Sequence, residues 1–243
     1  MESNLIQTKK IYFLTNTVIW WDGERVAQPS LFAYYNVEKC YFSNMDILFV
    51  PRIYALTGFA RENILGGARA LDIGCGGRKL PGAVGFDVLS LQGVDIVHDI
   101  NHRPWPIKNN EFDLVFLNHA LEHVEDIVGT MEEIHRILAP GGRVVVQVPY
   151  FRAADAYADP THKHFFTSQT LDYFIEGTAP AGYEYTDIRF TKKGFWYGWP
   201  HSSNNPLKQM IKSFVHKHPR LYDQRLSVFF PVKCLTWELE TIK

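Results

Sequence analysis

From residue 70 onward, short apolar runs alternate with polar or glycine-bearing stretches, at 70–73, 83–86, 95–97, 114–117 and 144–148. Runs this short, bounded by turn-forming residues, predict buried strands. Between the last two, Ile127, Met131, Ile134 and Leu138 recur at intervals of four, three and four, and build one apolar helix face before Pro140-Gly141-Gly142 stops it. Strands alternating with helical or looped segments predict an α/β fold: a doubly wound, mostly parallel sheet with helices on its faces and a ligand beyond the carboxyl ends of its strands. After Tyr150 the pattern loosens, then predicts a helix over about 168–175 and closing strands near 185–190 and 235–242. An insertion at about 191–233 separates those strands. It carries Phe195-Trp-Tyr-Gly-Trp-Pro200 and a helix in which Leu207, Met210, Ile211, Phe214 and Val215 share a face.

Residues 1–65 read as a separate aromatic-rich N-terminal cap, and 66–243 as the main domain. In the cap, Asp22-Gly23 between two β-prone runs predicts a hairpin. A helix is expected from Asn44 toward Ala60, with Pro51 kinking or restarting it. The apolar run from Ile11 to Trp21 is broken by Thr15, Asn16 and Thr17, so it reads as strand rather than signal peptide or membrane span. No stable membrane insertion is expected. No internal repeat is present.

A length of 243 residues suffices for one α/β domain with additions. A net charge of -1 gives no global electrostatic reason for a nucleic-acid or acidic-membrane partner. Cys40, Cys75 and Cys234 lack paired spacing, which argues against a disulfide framework or a cysteine zinc site and fits the cytoplasm.

The chemistry concentrates in Leu71-Asp-Ile-Gly-Cys-Gly-Gly77. A dinucleotide loop needs a third glycine where Lys79 stands and an acid about 20 residues on. Here Asp87 comes only 13 positions after Gly74. No G-x-x-x-x-G-K-[ST] phosphate loop is present either. What remains is a bend open to a ligand, with Asp72 at its base and Asp87 at the next strand end. Two acceptor-only carboxylates suit an ammonium group and a ribose diol.

With Val84-Gly-Phe-Asp87, Val97-His-Asp-Ile100, Phe112-Asp-Leu-Val-Phe-Leu-Asn-His-Ala-Leu-Glu-His123 and Leu138-Ala-Pro-Gly-Gly-Arg143, the chain resembles the class I S-adenosylmethionine-dependent methyltransferases over roughly 66–175. It is similar to the type 11-like branch with a shortened first crossover and an Asp-Pro-Thr-His segment. The resemblance implies a seven-stranded Rossmann-like sheet and S-adenosylmethionine as cofactor. It further implies that Gly74, Cys75 and Gly76 pass under the methionine part while Asp72 supports its amino group. Asp87 would hold the ribose, Asp99 and the backbone at Ile100 would meet the adenine, and Asn118 and His119 would face the sulfonium. The short segment between Gly77 and Ala83 leaves little room for the usual first crossover helix.

Methyl transfer to a hydroxyl calls for alignment and a base. His119, His123, His162 and His164 are candidates, histidine titrating nearest neutrality. His162, with His164 and beside Asp159, is expected to be catalytic because it follows the fifth strand, where an acceptor approaches. The bland reading is that Asp159-Pro160 forms a turn and the histidines cap a helix. His119-Ala-Leu-Glu122-His123 also matches a zinc-hydrolase pattern that needs all five residues in one helix. Its start at a strand end disfavours that reading, and no metal is expected. Trp20, Trp21, Trp196, Tyr197 and Trp199 either wall a substrate or fill core. The helix with Lys208, Lys212 and Lys217 opposite its apolar face permits a membrane-surface reading, though packing onto the sheet is favoured. The acceptor is expected to be a small-molecule or glycan hydroxyl. A noncatalytic cofactor-binding module is the rival reading.

Overall fold

The computed structural model describes residues 11–14, 18–21, 24–26, 60, 67–198 and 206–243. The helix expected from Asn44, the side chains of Trp20 and Trp21, and Trp199 lie outside the described residues. The chain divides into compact units Met1–Pro51 and Arg52–Lys243. In the first, β1 (Ile11–Leu14), β2 (Val18–Trp21) and β3 (Glu24–Val26) form an antiparallel sheet. Trp21 pairs with Glu24, the register that a two-residue Asp22-Gly23 connection demands.

The second unit is built on seven strands: β4 (Ala70–Ile73), β5 (Val84–Asp87), β6 (Ile96–Val97), β7 (Phe112–Asn118), β8 (Leu138–Pro149), β9 (Arg189–Tyr197) and β10 (Cys234–Ile242). Their order is β6-β5-β4-β7-β8-β10-β9, with β10 antiparallel to both neighbours. The sheet is thus mostly parallel, and the order reverses direction between β4 and β7, which pair in parallel. A crevice opens at such a switch point.

Alternation along the strands explains the two faces. Leu71, Ile73, Val115, Leu117, Val144, Val146, Val148, Leu235, Trp237 and Leu239 point into the larger core. Ala70, Leu114, Phe116 and Val145 point the other way, where Leu80, Ala83 and Ala60 cover them. Small alanines let the short segment after β4 lie flat on the sheet. Towards β10 that second face turns polar: Gln147 Nε2 donates to Thr236 Oγ1 at 3.0 Å, and Arg143 pairs with Glu238 and Glu240 at 2.6 and 2.8 Å.

Helix α1 (Ile127–Ile137) joins β7 to β8 and buries Met131 and Ile134 as the spacing predicts, together with Ile137; Ile127 is half-buried, and Leu138, expected to close the helix face, already opens β8. Asp126 caps it by accepting from Gly129 N, a contact worth about 1 kcal/mol. Helices are scarcer than expected elsewhere. The crossovers from β4 to β5, β5 to β6 and β6 to β7 contain turns only, and the helix expected over 168–175 is a 3-10 turn, Thr170–Phe174. The strand expected near 185–190 lies at Arg189–Tyr197. Its exposed Lys192 and Lys193 mark a sheet edge, so it lacks the apolar run by which buried strands are read. Phe195, Trp196 and Tyr197, first read as insertion, therefore belong to the sheet and pair with Trp237, Thr236 and Leu235.

Two short helices follow a brief one, α2 (Asp155–Ala158): α3 (Pro206–Lys217) and α4 (Pro219–Gln224). The apolar face of α3 does not pack on the sheet as favoured from its pattern. Leu207, Met210, Ile211 and Phe214 are exposed, and only Val215 of the five is buried. The docked side is instead Val215 with the neighbouring His216, whose Nε2 accepts from Tyr197 N at 3.3 Å while its Nδ1 faces Lys212 O at 2.6 Å. Specific polar contacts fix the helix where apolar periodicity pointed elsewhere.

Burial, reinforced by the nearby Lys212 charge, holds the His216 imidazole below its usual pKa; burial does the same at His135, near Lys243. The unfolded chain, with ordinary histidines near 6.5, then takes up more protons than the folded one. Stability is fully present above that value and falls as pH drops through it towards the lower folded values. Urea midpoints measured between about pH 8 and pH 5.5 should decline, and H216Q should flatten part of the slope. A midpoint that rises on acidification contradicts the argument.

Candidate active site

The glycine bend leaves β4 and immediately engages β5. Gly74 N and Cys75 N both donate to Phe86 O, at 2.8 and 3.3 Å, and Gly76 N donates to Asp87 Oδ2 at 2.8 Å. The other oxygen, Asp87 Oδ1, accepts from Leu89 N at 2.9 Å. A partly exposed carboxylate thus sits at the tip of β5 against the bend, with lone pairs remaining on both oxygens.

Glycine is required at the bend's start. Gly74 has φ +67° and a Cβ there would lie 2.7 Å from Ala120 Cβ, so a side chain would meet both strain and a clash. At Gly76, with φ +52°, a Cβ would meet nothing within 4 Å. Open space above a backbone turn is what a ligand lying on that turn needs. Cys75 is buried beneath it.

Asp72 is wholly buried, and its Oδ2 accepts from Leu80 N at 2.8 Å. It therefore pins the short crossover that replaces a helix. At the β6 end, Asp99 Oδ1 accepts from Asn101 N and Nδ2, while Ile100 O takes the Trp105 indole N–H at 3.0 Å. Phe86 packs against His98 and Trp105 beneath this loop.

At the end of β7, Asn118 Oδ1 is buried without a hydrogen-bond partner. His119 follows with φ +54°, its N–H donating to Gln147 O. That left-handed residue breaks any helix through His119-Ala-Leu-Glu-His123, and only Leu121–His123 forms a 3-10 turn. The helical zinc-hydrolase geometry is therefore absent. His119 Nδ1 lies 3.1 Å from Oε1 of the buried Glu122.

The Asp-Pro-Thr-His segment returns to this turn. Lys163 N and His164 N donate to Glu122 O, and His164 Nε2 donates to Val124 O at 2.9 Å. His162 Nε2 lies 3.9 Å from Glu122 Oε1, and its ring is 4.7 Å from that of His123. Asp159 does not address His162 directly. It accepts from the Thr161 hydroxyl at 2.6 Å, and Thr161 Oγ1 stands 2.9 Å from His123 Nδ1. Those Thr161 contacts hold the exposed Asp159 carboxyl below its usual range. Of the three residues first expected to be catalytic, His162 thus joins the cluster, Asp159 reaches it through Thr161, and His164 ties the loop to Val124. The sequence marks His123 as a candidate base and Glu122 only through the zinc pattern; their meeting with His162, far along the chain, carries no local signal.

A family described as "Methyltransferase domain" matches residues 51–184, more than half of the chain. The chain belongs to the S-adenosylmethionine-dependent methyltransferases. The residues present fit that cofactor: an open glycine bend for a chain to lie on, a carboxylate at the next strand tip with acceptor capacity for a diol, and a buried unpaired amide oxygen on β7. Among relatives of this methyltransferase, the human "Ubiquinone biosynthesis O-methyltransferase, mitochondrial" is 23% identical over 259 aligned positions, covering 85% of this chain and 65% of that protein. A "Demethylmenaquinone methyltransferase" from Bacillus mycoides is 30% identical over 104 residues, 32% of this chain and 44% of that one. The chain spans less than two thirds of the length of these curated relatives. The crystal structure of an S-adenosylmethionine-dependent methyltransferase from Mesorhizobium loti superposes with a TM-score of 0.46 at 17% identity, covering 73% of this chain and 92% of that one. Among the described residues, no helix is long and apolar enough to cross a membrane.

Proposed function

We propose that the chain transfers a methyl group from S-adenosylmethionine to a hydroxyl of a small-molecule acceptor. The observation that carries the reading is the junction of Gly76 N with Asp87 Oδ2, which brings an open backbone bend and a diol-accepting carboxylate together at adjacent strand tips. S-adenosylmethionine supplies, when bound, a methyl group already activated for displacement. Asp87 holds the ribose hydroxyls, Gly74 to Gly76 underlie the methionine part, and Asp72 pins the crossover that follows the bend through Leu80 N. Asp99 and the Ile100 backbone stand where the adenine edge would be read, and Asn118 offers its free oxygen towards the sulfonium end.

Removing the acceptor's proton falls to an imidazole of the cluster around Glu122. His119 suits the part better than His162: its ring is half exposed, whereas that of His162 is more than nine-tenths buried. Glu122 accepts the His119 Nδ1 proton and fixes the ring, leaving Nε2 free to take a proton. The name of the human relative, an O-methyltransferase of ubiquinone biosynthesis, supports a ring hydroxyl as the acceptor class.

Calorimetric titration of the purified chain with S-adenosylmethionine and, separately, NAD tests the cofactor, and labelled methyl transfer to a panel of catechols, hydroxyquinones and sugars tests the acceptor. Binding of the first cofactor alone and turnover on a hydroxylated ring are expected. H119A should lower kcat by about 100-fold or more with cofactor affinity nearly unchanged. Binding with no turnover on any acceptor would favour the noncatalytic module, and preference for NAD would remove the enzyme reading.

A further inference from the structure

Just beyond the carboxyl end of β7, Glu122 and His123 meet His162 of the Asp-Pro-Thr-His loop. Ligand atoms of Glu122, His123 and His162 all lie within 4.8 Å of one another. Their hydrogen bonds decide which atoms carry protons. The Thr161 hydroxyl gives its proton to Asp159 Oδ1 at 2.6 Å, so its oxygen accepts from His123 Nδ1–H at 2.9 Å. His162 Nδ1 stands 2.9 Å from the Ala156 carbonyl, which accepts only, so that nitrogen too carries the proton. Each ring is thereby held through Nδ1, which leaves Nε2 as the nitrogen available to a ligand. The third member, Glu122, is wholly buried, and its Oε2 has no hydrogen-bond partner.

Glu122 Oε1 accepts from His119 Nδ1 at 3.1 Å, which leaves the buried Oε2 as the oxygen open to a further ligand. At 3.9 Å, His162 Nε2 and Glu122 Oε1 are too far apart for a direct hydrogen bond. A cation held among the three side chains would engage the unpartnered oxygen and both rings. The outer contacts also match what metal-bound histidines use, each ring held through its second nitrogen by a carbonyl or by a carboxylate-oriented hydroxyl. Lys163 N and His164 N bonded to Glu122 O, and Lys163 Nζ bonded to Glu125 at 2.6 Å, keep the loop in place around the cluster.

We propose that Glu122, His123 and His162 form a binding site for one divalent transition-metal ion of the zinc type. Two histidines and one carboxylate with a fourth position left open is a composition zinc accepts at reactive sites. This departs from the expectation that no metal is bound, and it uses His162 in place of His119 of the sequence pattern. A divalent ion there would acidify an oxygen occupying the open position. That consequence, unlike the site itself, rests on the methyl-transfer reading.

The test is binding, independent of turnover. The full chain, stripped with a chelator, is titrated with Zn2+ against a chromophoric competitor, and Co2+ is added in parallel to read visible d–d bands. One equivalent is expected to bind. H123A and H162A should each weaken it by about 100-fold and abolish the Co2+ bands, and T161V, which removes no ligand but frees the His123 ring and Asp159, should weaken it about 10-fold. H218A, outside the cluster, should leave it unchanged. Calorimetry with S-adenosylhomocysteine on the same variants reports whether the fold and cofactor pocket persist. The absence of stoichiometric binding in the parent chain, or binding indifferent to H162A and T161V, overturns the site while leaving the methyl-transfer reading intact.

Discussion

Asp87→Ala should weaken S-adenosylhomocysteine binding by at least about 100-fold, the largest loss expected at the cofactor site. Two hydroxyls on one carboxylate make charge-assisted hydrogen bonds, each worth about 1.5–3 kcal/mol. Every 1.4 kcal/mol is a factor of ten in affinity. Even the lower end of that range gives two orders of magnitude. The carboxylate also takes Gly76 N and Leu89 N, so its removal frees the bend as well. That second effect is separable: Asp87 is partly exposed and water can replace it at both amides, so the unliganded protein should melt within a few degrees of the parent. Asp87→Asn, which keeps one acceptor oxygen, should fall between the two. Calorimetric affinity within threefold of the parent for Asp87→Ala would show that the ribose is held elsewhere.

How far the sequence reaches can be followed along the same elements. Strands β4, β5, β7 and β8 were legible because a central parallel strand buries both faces and so reads as an unbroken apolar run. Helix α1 was legible because one face meets the core at a fixed period, and the β2–β3 hairpin because Asp-Gly suits a two-residue turn. The edge strand β9 is expected too early in the chain, since Lys192 and Lys193 give it no such run. The docking of α3 was not legible, for its pattern points an apolar arc inward while His216, bonded to Tyr197 N, docks another side of the helix. At the site, the glycine bend and Asp87 are adjacent in sequence and were read together. The Glu122, His123 and His162 cluster depends on a loop folding back across the strand tips, which no local spacing encodes.

The largest stability effect is expected at a residue no motif marked. Asp223 of α4 is buried and takes four hydrogen bonds: from the Tyr150 and Tyr197 hydroxyls at 2.9 and 2.7 Å, and from Ser168 N and Oγ at 3.0 and 2.6 Å. One carboxylate thereby ties α4 to the end of β8, the end of β9 and the segment following the Asp-Pro-Thr-His loop. Burial and the facing negative charge push both tyrosines well above the usual phenol range, so both remain donors. Asp223→Ala strands the Tyr150 hydroxyl and the two Ser168 donors, at about 1–3 kcal/mol for each buried group left unpaired, while the Tyr197 hydroxyl keeps the Pro219 carbonyl at 3.1 Å. Part of that loss is offset, because a buried carboxylate is itself costly to desolvate by several kcal/mol. A net loss of about 3 kcal/mol follows, which lowers Tm by roughly 6–12 °C in a chain of this size. Asp223→Asn retains one acceptor and should lose less. Because Asp87 and the glycine bend lie across the sheet on β4 and β5, cofactor affinity at low temperature should change little, whereas amide exchange over residues 159–168 should quicken. A melting temperature within about 2 °C of the parent for Asp223→Ala would mean that water satisfies the tyrosines and that the insertion is held by its apolar contacts alone.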